Sequence, residues 1–283
     1  MRYNQEWKDF SVIATSDGEK LERWGEYHLL RPDPQVIWGG QTPLKFYPNI
    51  DAHYLRSSSG GGYWDIKKQL PQEWEIGWRN LRFSIKLMGF KHTGVFPEQA
   101  YNWSKMIELI KNANRPIKVL NLFAYTGGAT LACVSAGAEV THVDASKGMT
   151  QRAKENLALS KLPQKARWIV DDCEKFILRE INRGNKYDAI IMDPPSYGRG
   201  PNGEVWKIED KLFEFVKLCK KVLSDNPLFV LINSYTTGLQ PTVLFNISKI
   251  VFKDSFKTVD AYELGLLGED GIVLPCGASC FSN

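Results

Sequence analysis

The stretch that decides the fold is Val119-Leu-Asn-Leu-Phe-Ala-Tyr-Thr-Gly-Gly-Ala-Thr130, an apolar run that breaks at two glycines and resumes with helical spacing. A buried strand that turns into a helix over glycines forms a notch of nucleotide size. We therefore expect a nucleotide-like cofactor to bind here. Gly127 and Gly128 also fit a plainer interpretation, in which they serve only to make the turn tight.

An acidic residue follows at the spacing that such sites use. Asp144 ends a second strand-like run, Glu139 to Val143, at close to the roughly 20 residues that separate a glycine turn from a ribose-binding acid. Its carboxylate can accept both ribose hydroxyls, and a plain acid at a helix N-terminus is the alternative. The sequence has no Gly-x-Gly-x-x-Gly pattern, which argues against a nicotinamide-dependent oxidoreductase.

A third predicted strand also ends in acids. Asp171 and Asp172 stand directly before Cys173. One of these carboxylates can accept a hydrogen bond from an adenine amino group, and the other fits the N-cap of the next helix. The sequence leaves open which residue has which role.

A fourth predicted strand ends in Asp193-Pro-Pro-Ser-Tyr197. Two consecutive prolines fix the backbone and remove two N–H donors, so the carbonyl groups around them face something other than a sheet partner. Asp193 and the carbonyl of Pro194 can accept hydrogen bonds from a planar amine or a base edge, and Tyr197 can stack on it. In the glycine-rich stretch that follows, Arg199 can meet a phosphate.

From Phe96 onward, strand-like and helix-like segments alternate. Such alternation predicts a parallel sheet that helices cover on both faces, with ligands at the carboxyl ends of the strands. The predicted strands lie near 118–125, 139–144, 166–171, 187–193, 227–233, 258–264 and 272–281. The predicted helices lie near 97–110, 127–136, 147–160, 173–183, 207–223 and 241–252.

Residues 1–90 differ from the rest, because short aromatic runs alternate with glycine and proline breaks that leave no room for long helices. We expect a small aromatic-rich β domain here, followed by a second domain over 91–283. Six of the nine tryptophans lie in the first segment: Trp7, Trp24, Trp38, Trp64, Trp74 and Trp78. They suit a compact β core, and a platform for base stacking is the functional alternative.

The composition bounds the function only loosely. The 283 residues carry 36 basic and 32 acidic side chains, a net charge of +4 without a basic stripe, so charge alone does not announce nucleic acid. Neither a secretory leader nor a membrane-spanning apolar run is evident, and the five cysteines are scattered. We expect a reduced cytoplasmic protein with no membrane association and no metal site.

With these residues in view, the chain from about Lys91 to Ser282 resembles the methyltransferases related to the large-subunit ribosomal RNA cytosine-C5 enzymes and to the guanine-N7 half of the fused large-subunit enzyme. Three motifs carry the resemblance: Lys91-His-Thr-Gly-Val-Phe-Pro-Glu-Gln99, Asn121-Leu-Phe-Ala-Tyr-Thr-Gly127 and Asp193-Pro-Pro-Ser-Tyr197. Gly203-Glu-Val-Trp206 is similar to a less characterised bacterial branch.

The resemblance implies an α/β fold with the seven-stranded, Rossmann-like sheet of class I methyltransferases, its last strand antiparallel, beside the small N-terminal β domain. It implies S-adenosylmethionine as cofactor. The implied cofactor contacts are Phe123, Tyr125, Thr126, Gly127, Asp144 and Asp172. We further expect Phe96, Gln99 and Arg199 to contact the substrate.

One departure from the family changes the expected chemistry. The cytosine-C5 members carry a nucleophilic cysteine in the turn after strand five, whereas this chain reads Asn233-Ser-Tyr-Thr-Thr-Gly238, with no cysteine between Cys219 and Cys276. Carbon-5 of cytosine needs thiolate addition before it can accept a methyl group. We therefore expect methyl transfer to a nitrogen instead.

The expected function is methylation of a base nitrogen in structured RNA, with ribosomal RNA favoured by the resemblance. Asp193 and Pro194 would orient the acceptor and Tyr197 would stack on it. A protein or small-molecule acceptor and a non-catalytic RNA-binding relative remain as alternatives, because fold and cofactor site say little about the acceptor. A homodimer is also left open.

Overall fold

The computed structural model describes residues 1–40, 43–57, 61–89, 91–199 and 205–283, and for Arg199 the backbone alone. The chain divides into two compact units. The first contains Met1–Arg2, Tyr101–Leu264 and Gly277–Asn283, and the second contains Tyr3–Ala100 and Gly265–Cys276. The domain boundary expected between residues 90 and 91 stays a prediction.

The second unit is built from short strands. They are β1 (Phe10–Ser16), β2 (Glu19–Trp24), β3 (Tyr27–Pro32), β4 (Ala52–Arg56), β5 (Gly62–Ile66), β6 (Trp74–Trp78) and β7 (Leu81–Ile85). Strands β1 to β5 form one sheet in chain order, in which only β3 and β4 pair in parallel, and β6 and β7 form a separate antiparallel pair. This confirms the β domain that the spacing of turn residues predicts.

Large aromatic rings fill the core of this unit. Trp24, Trp78 and Phe83 are fully buried, and the rings of Phe10 and Trp24 meet edge to face with their centroids 4.6 Å apart. The indole N–H of each of the six tryptophans donates to an acceptor within the unit. Two of the six are buried and the other four are partly buried, with every N–H group satisfied inside the unit, so the structure favours a compact β core over a stacking platform.

The first unit contains most of a seven-stranded sheet. Its strands are β8 (Lys118–Leu122), β9 (Glu139–Asp144), β10 (Ala166–Val170), β11 (Ala189–Met192), β14 (Phe229–Ser234), β15 (Val259–Leu267) and β16 (Val273–Ser282), and a small hairpin adds β12 (Tyr197–Arg199) and β13 (Val205–Lys207). The sheet order is β10-β9-β8-β11-β14-β16-β15. The first five strands of this order, β10, β9, β8, β11 and β14, run parallel, and β16 pairs antiparallel with β14, as the resemblance implies.

Within the described ranges, six α-helices accompany these strands. They are α1 (Ala100–Asn112), α2 (Gly128–Ser135), α3 (Lys147–Leu159), α4 (Cys173–Asn182), α5 (Ile208–Lys220) and α6 (Pro241–Val251). Two predicted bounds are wrong in detail. The helix expected from Pro97 opens with a 3₁₀ turn over Pro97–Gln99 before α1. The strand expected to reach residue 125 ends at Leu122, because Phe123 and Tyr125 have positive φ angles.

The strand order fixes where a ligand can bind. The chain reverses its direction of growth across the sheet between β8 and β11, which lie side by side at the centre. Every residue of β11 and β14 is buried, as in a sheet that helices cover on both faces. In such sheets the ligand crevice opens at the carboxyl ends of the strands at this switch point.

Candidate active site

The loop after β8 has an unusual backbone. Phe123 (φ 54°) and Tyr125 (φ 50°) both lie in the left-handed region, which residues other than glycine rarely adopt. Named contacts hold the loop: the N–H of Phe123 donates to Cys173 Sγ at 3.3 Å, and Asn156 Nδ2 donates to the carbonyl of Thr126 at 3.0 Å. Backbone strain of this kind persists only where the surroundings enforce it, and it concentrates at ligand sites.

The two glycines that follow are required by packing as well as by backbone angle. Gly127 has φ 86° and is the N-cap of α2, and a Cβ there would lie 2.9 Å from the Cβ of Ala153. A Cβ on Gly128 would lie 2.5 Å from the ring of Trp103. Neither glycine therefore tolerates a side chain. These contacts are with the protein itself, so they add a structural reason to the tight-turn interpretation.

Asp144 lies at the end of β9 and faces this loop. Its Oδ2 accepts the N–H of Tyr125 and its Oδ1 accepts the N–H of Ser146, both at 2.8 Å. Burial raises the pKa of Asp144 because it disfavours the charged form, while the two backbone hydrogen bonds oppose that shift. A carboxylate oxygen can accept more than one hydrogen bond, so both oxygens retain capacity for ribose hydroxyls.

Asp171 and Asp172 follow the neighbouring strand β10. The N–H of Asp171 donates to the carbonyl of Asp144 at 3.1 Å, which brings all three acids to one sheet edge. Asp172 is the N-cap of α4, accepting the N–H of Lys175 at 2.8 Å, and Asp171 is ion-paired with Arg179. The helix cap is therefore the residue that we assigned to the cofactor, and its adenine contact stays a prediction.

Residues 193–197, which we call the acceptor motif, begin beside residues 123–127, the loop after β8, which we call the cofactor loop. The N–H of Asp193 donates to the carbonyl of Leu122 at 3.4 Å, where β8 and β11 end together. Pro194 is buried and Asp193 is half-buried. This places the predicted catalytic carboxylate and the predicted cofactor loop at the same carboxyl edge.

Side chains from two other segments fix the rest of the motif. The carbonyl of Pro195 accepts the indole N–H of Trp206 at 2.6 Å. The hydroxyls of Ser196 and Thr236 lie 2.6 Å apart, which ties the motif to the turn after β14. Thr236 occupies the turn in which the cytosine-C5 family has its cysteine.

Tyr197 begins β12, where it pairs with Lys207, and its side chain is 50% exposed. A half-exposed ring at this position can receive a planar group. The backbone of Arg199 pairs with Val205, but the side chain of Arg199 and residues 200–204, including Gly203 and Glu204 of the fourth motif, lie outside the described residues.

The other two expected substrate residues belong to the second unit. The ring of Phe96 packs edge to face against His92 with a centroid distance of 5.7 Å. Gln99 is buried, and its backbone N–H donates to the carbonyl of Phe96. Their contact with substrate stays a prediction.

A buried polar network that the sequence did not predict links β8, α2 and β9, the elements around the cofactor loop. Asn121 Nδ2 donates to Thr130 Oγ1 at 2.9 Å, and Thr130 Oγ1 lies 2.9 Å from His142 Nδ1. Burial lowers the pKa of His142 to about 3, so the imidazole is neutral near pH 7. Asn156 was also missed, although a polar residue among the buried positions Ala153 and Leu157 of α3 is a usable signal.

The five thiols are unsuited to nucleophilic attack. Cys133, Cys173, Cys219 and Cys280 are buried and Cys276 is half-buried. Burial raises the pKa of all five thiols well above the ordinary range, so thiolate is scarce near neutral pH. The burial of the thiols therefore agrees with the departure seen in the sequence, where the turn after β14 has no cysteine.

Within the described ranges, no three His, Cys, Asp or Glu side chains converge as a metal site would require. None of the helices described is long and apolar enough to cross a membrane. A cavity of about 690 Å³ lies at the opposite, amino-terminal sheet edge beside Lys118 and Glu139, and it is separate from the candidate site.

Comparison with known proteins places this geometry in context. A family model described as S-adenosylmethionine-dependent methyltransferase matches residues 49–243. The fold is similar to that of a SAM-dependent methyltransferase from Agrobacterium tumefaciens, with a TM-score of 0.93, 36% identity, and coverage of 99% of this chain and 92% of that one. SMU.776, solved with S-adenosylhomocysteine, shares the fold at a TM-score of 0.77 and 18% identity, over 99% of this chain and 76% of that one.

A curated relative carries a more specific description. The ribosomal RNA large subunit methyltransferase K/L of Shewanella frigidimarina is 33% identical over 156 residues, which are 54% of this chain and 21% of that protein. The chain therefore matches only about a fifth of this relative.

Proposed function

The chain belongs to the S-adenosylmethionine-dependent methyltransferase family, and from this premise we propose that it methylates a base nitrogen in structured RNA, ribosomal RNA being the favoured substrate. The observation that carries the proposal is the hydrogen bond from the N–H of Asp193 to the carbonyl of Leu122. It supports a site in which the acceptor motif and the cofactor loop work at one sheet edge. The Shewanella relative, named as a ribosomal RNA methyltransferase, favours RNA.

The hydrogen-bond acceptors of the site fit the cofactor of the family. Asp144, half-buried and held by two backbone N–H groups, suits the paired ribose hydroxyls, and Asp172 suits the adenine amino group. The left-handed conformations of Phe123 and Tyr125 end β8 at Leu122 and form the turn where the cofactor is proposed to bind. The assigned contacts are Phe123, Tyr125, Thr126, Gly127, Asp144 and Asp172.

S-adenosylmethionine supplies a methyl group on a sulfonium leaving group, so the acceptor needs no covalent activation when it is a nitrogen. The protein then contributes orientation and exclusion of water, worth up to roughly 7–11 kcal/mol where the geometry is good. Asp193 accepts the hydrogen bond of the acceptor amine, orienting it, and can take the proton that the nitrogen loses when the methyl group is transferred. The carbonyl of Pro194 accepts a second hydrogen bond. Tyr197 stacks on the base. The contacts of Arg199, and of Phe96 and Gln99 in the second unit, with the substrate stay predictions.

The choice of nitrogen rests on the thiols. A carbon-5 acceptor would need a thiolate near Asp193, whereas the turn after β14 offers Ser234, Thr236 and Thr237. Neither hydroxyl nor buried thiol is an effective nucleophile without an activating base. The net charge of +4 is modest for RNA binding, which ordinarily draws on phosphate contacts from Lys and Arg.

The deciding experiment is nucleoside mass spectrometry of ribosomal and transfer RNA from cells with and without the gene. We expect one N-methylated nucleoside of ribosomal RNA to disappear in the deletion and to return on complementation. Complementation by an Asp193→Ala variant should fail. Identical nucleoside profiles in both strains would overturn the RNA assignment and direct the search to protein and small-molecule acceptors.

A further inference from the structure

The side chain of Trp206 contacts both the cofactor loop and the acceptor motif. Trp206, in β13, lies with its ring centroid 5.5 Å from that of Phe123 in the cofactor loop and 5.5 Å from that of Phe215 in α5. The rings of Phe123 and Phe215 are themselves 5.5 Å apart, which closes an aromatic triangle. Phe215 is buried in the core of the first unit, so the triangle is anchored.

The polar end of the same side chain reaches the acceptor motif. The indole N–H of Trp206 donates to the carbonyl of Pro195 at 2.6 Å. The hairpin places Trp206 opposite Gly198, directly after Tyr197. Ile208, two residues beyond Trp206, donates its N–H to the carbonyl of Ser196 at 3.1 Å. Trp206 and Ile208 therefore each donate one hydrogen bond to the acceptor motif.

We propose that Trp206 is a positioning residue that sets the distance between acceptor and methyl donor, its ring holding the cofactor loop through Phe123 and its N–H holding the acceptor motif through Pro195. The inference rests on the proposed function in one respect, namely that Asp193 to Tyr197 receives the acceptor. It does not depend on which acceptor that is.

The ring and the indole N–H of Trp206 act on different segments. Pro194 and Pro195 have no backbone N–H, so neither residue can anchor the segment by donating a hydrogen bond. The segment is instead anchored through hydrogen bonds that its carbonyls accept, from the indole N–H of Trp206 and the backbone N–H of Ile208. Methyl transfer by in-line displacement is sensitive to small displacements of the acceptor, since misplacement by about 1 Å can cost a hundredfold in rate.

Two variants separate the two roles. Trp206→Phe keeps a ring against Phe123 but loses the N–H, and Trp206→Ala loses both. The matched control is Trp74→Phe, a partly buried tryptophan of β6 whose indole N–H also donates to a backbone carbonyl, that of Trp24, at 3.0 Å. Three properties are measured on the full chain: amide hydrogen exchange by mass spectrometry, S-adenosylhomocysteine affinity by calorimetry, and kcat and KM for methyl transfer to ribosomal RNA.

For Trp206→Phe we expect faster exchange in peptides covering 193–199, unchanged exchange over 121–127, cofactor affinity within twofold and kcat lowered about tenfold. For Trp206→Ala we expect faster exchange in both peptides and cofactor affinity lowered at least fivefold. The control should change none of these. A Trp206→Phe variant with wild-type exchange over 193–199 would overturn the proposal.

Failure of the proposed function gives a different pattern. If ribosomal RNA is not the substrate, the wild-type protein methylates none of it, while the exchange and affinity measurements still test Trp206. A purely structural role for Trp206 would lower the melting temperature of both variants and leave the kcat of Trp206→Phe unchanged, which also contradicts the proposal.

Discussion

The carboxylate of Asp144 accepts the backbone N–H of Tyr125 at 2.8 Å, and Tyr125 holds a left-handed backbone with φ 50°. One acid at the end of β9 thus contributes, with Cys173 and Asn156, to the shape of the loop that follows β8. The same carboxylate is the group that we assign to the cofactor ribose. Loss of this side chain should therefore affect both the loop and ribose binding.

Replacing Asp144 with Ala should weaken binding of S-adenosylhomocysteine tenfold to a hundredfold. A hydrogen bond to a charged group is worth roughly 1.5–3 kcal/mol, and the loop that Asp144 holds also loosens. Isothermal titration calorimetry measures the change, with Asp254→Ala, an exposed acid beyond α6, as the control. Wild-type affinity in Asp144→Ala would remove Asp144 from the cofactor site.

His142 should make the protein less stable in mild acid. Its folded pKa of about 3 lies below the ordinary 6.5, so the unfolded chain binds the proton more readily between these values. Stability is therefore lost as the pH falls from about 6.5 toward about 3, by at most about 1.4 kcal/mol per pH unit. Urea titrations across this range should show a shallower pH dependence in His142→Gln, which has no titrating group. An equal dependence in both proteins contradicts the assignment.

Much of the sheet could be predicted from the sequence, because buried parallel strands are continuous apolar runs and their spacing fixes the alternation. Strand β9 was predicted over the residues that form it, and the acids at the ends of β9 and β10 meet at one edge as expected. The backbone of the cofactor loop was not predictable. The left-handed φ angles of Phe123 and Tyr125 depend on partners 50 and 19 residues away, Cys173 and Asp144.

The supporting contacts were hidden for the same reason. The hydrogen bond of Trp206 to Pro195 requires the turn of the hairpin, and the contact of Asn156 with Thr126 requires α3 to pack on the loop. Neither contact can be predicted from the local periodicity of the sequence. Gly127 and Gly128 correctly predicted a turn from β8 into α2, but the sequence did not show that Ala153 and Trp103 exclude a side chain there.

The thiols give a test of mechanism. Replacing each cysteine singly with Ala should leave turnover within a few fold, because burial keeps the thiols protonated and none lies in the turn after β14. RNA containing 5-fluorocytosine should form no covalent adduct, as judged by denaturing gel and intact mass. An adduct on Cys276 or Cys280 would overturn the nitrogen assignment.

Asp193 should serve the acceptor and not the cofactor. Asp193→Ala should abolish methyl transfer while the affinity for S-adenosylhomocysteine stays within a few fold, because the lost hydrogen bond is made mainly in the transition state. The matched control is Asp225→Ala, an exposed acid before β14 that lies outside the motif and should retain most activity. Wild-type turnover in Asp193→Ala would remove the carboxylate from the mechanism.

Tyr197 should act through its ring. The side chain is half-exposed at the start of β12, where a planar base can lie against it, and stacking of this kind is worth about 1–3 kcal/mol per base. Tyr197→Ala should therefore lower kcat/KM for RNA roughly tenfold to a hundredfold. Tyr197→Phe keeps the ring and should behave almost as the wild type. If Tyr197→Phe is as impaired as Tyr197→Ala, the phenol hydroxyl acts in proton transfer and the stacking role is wrong.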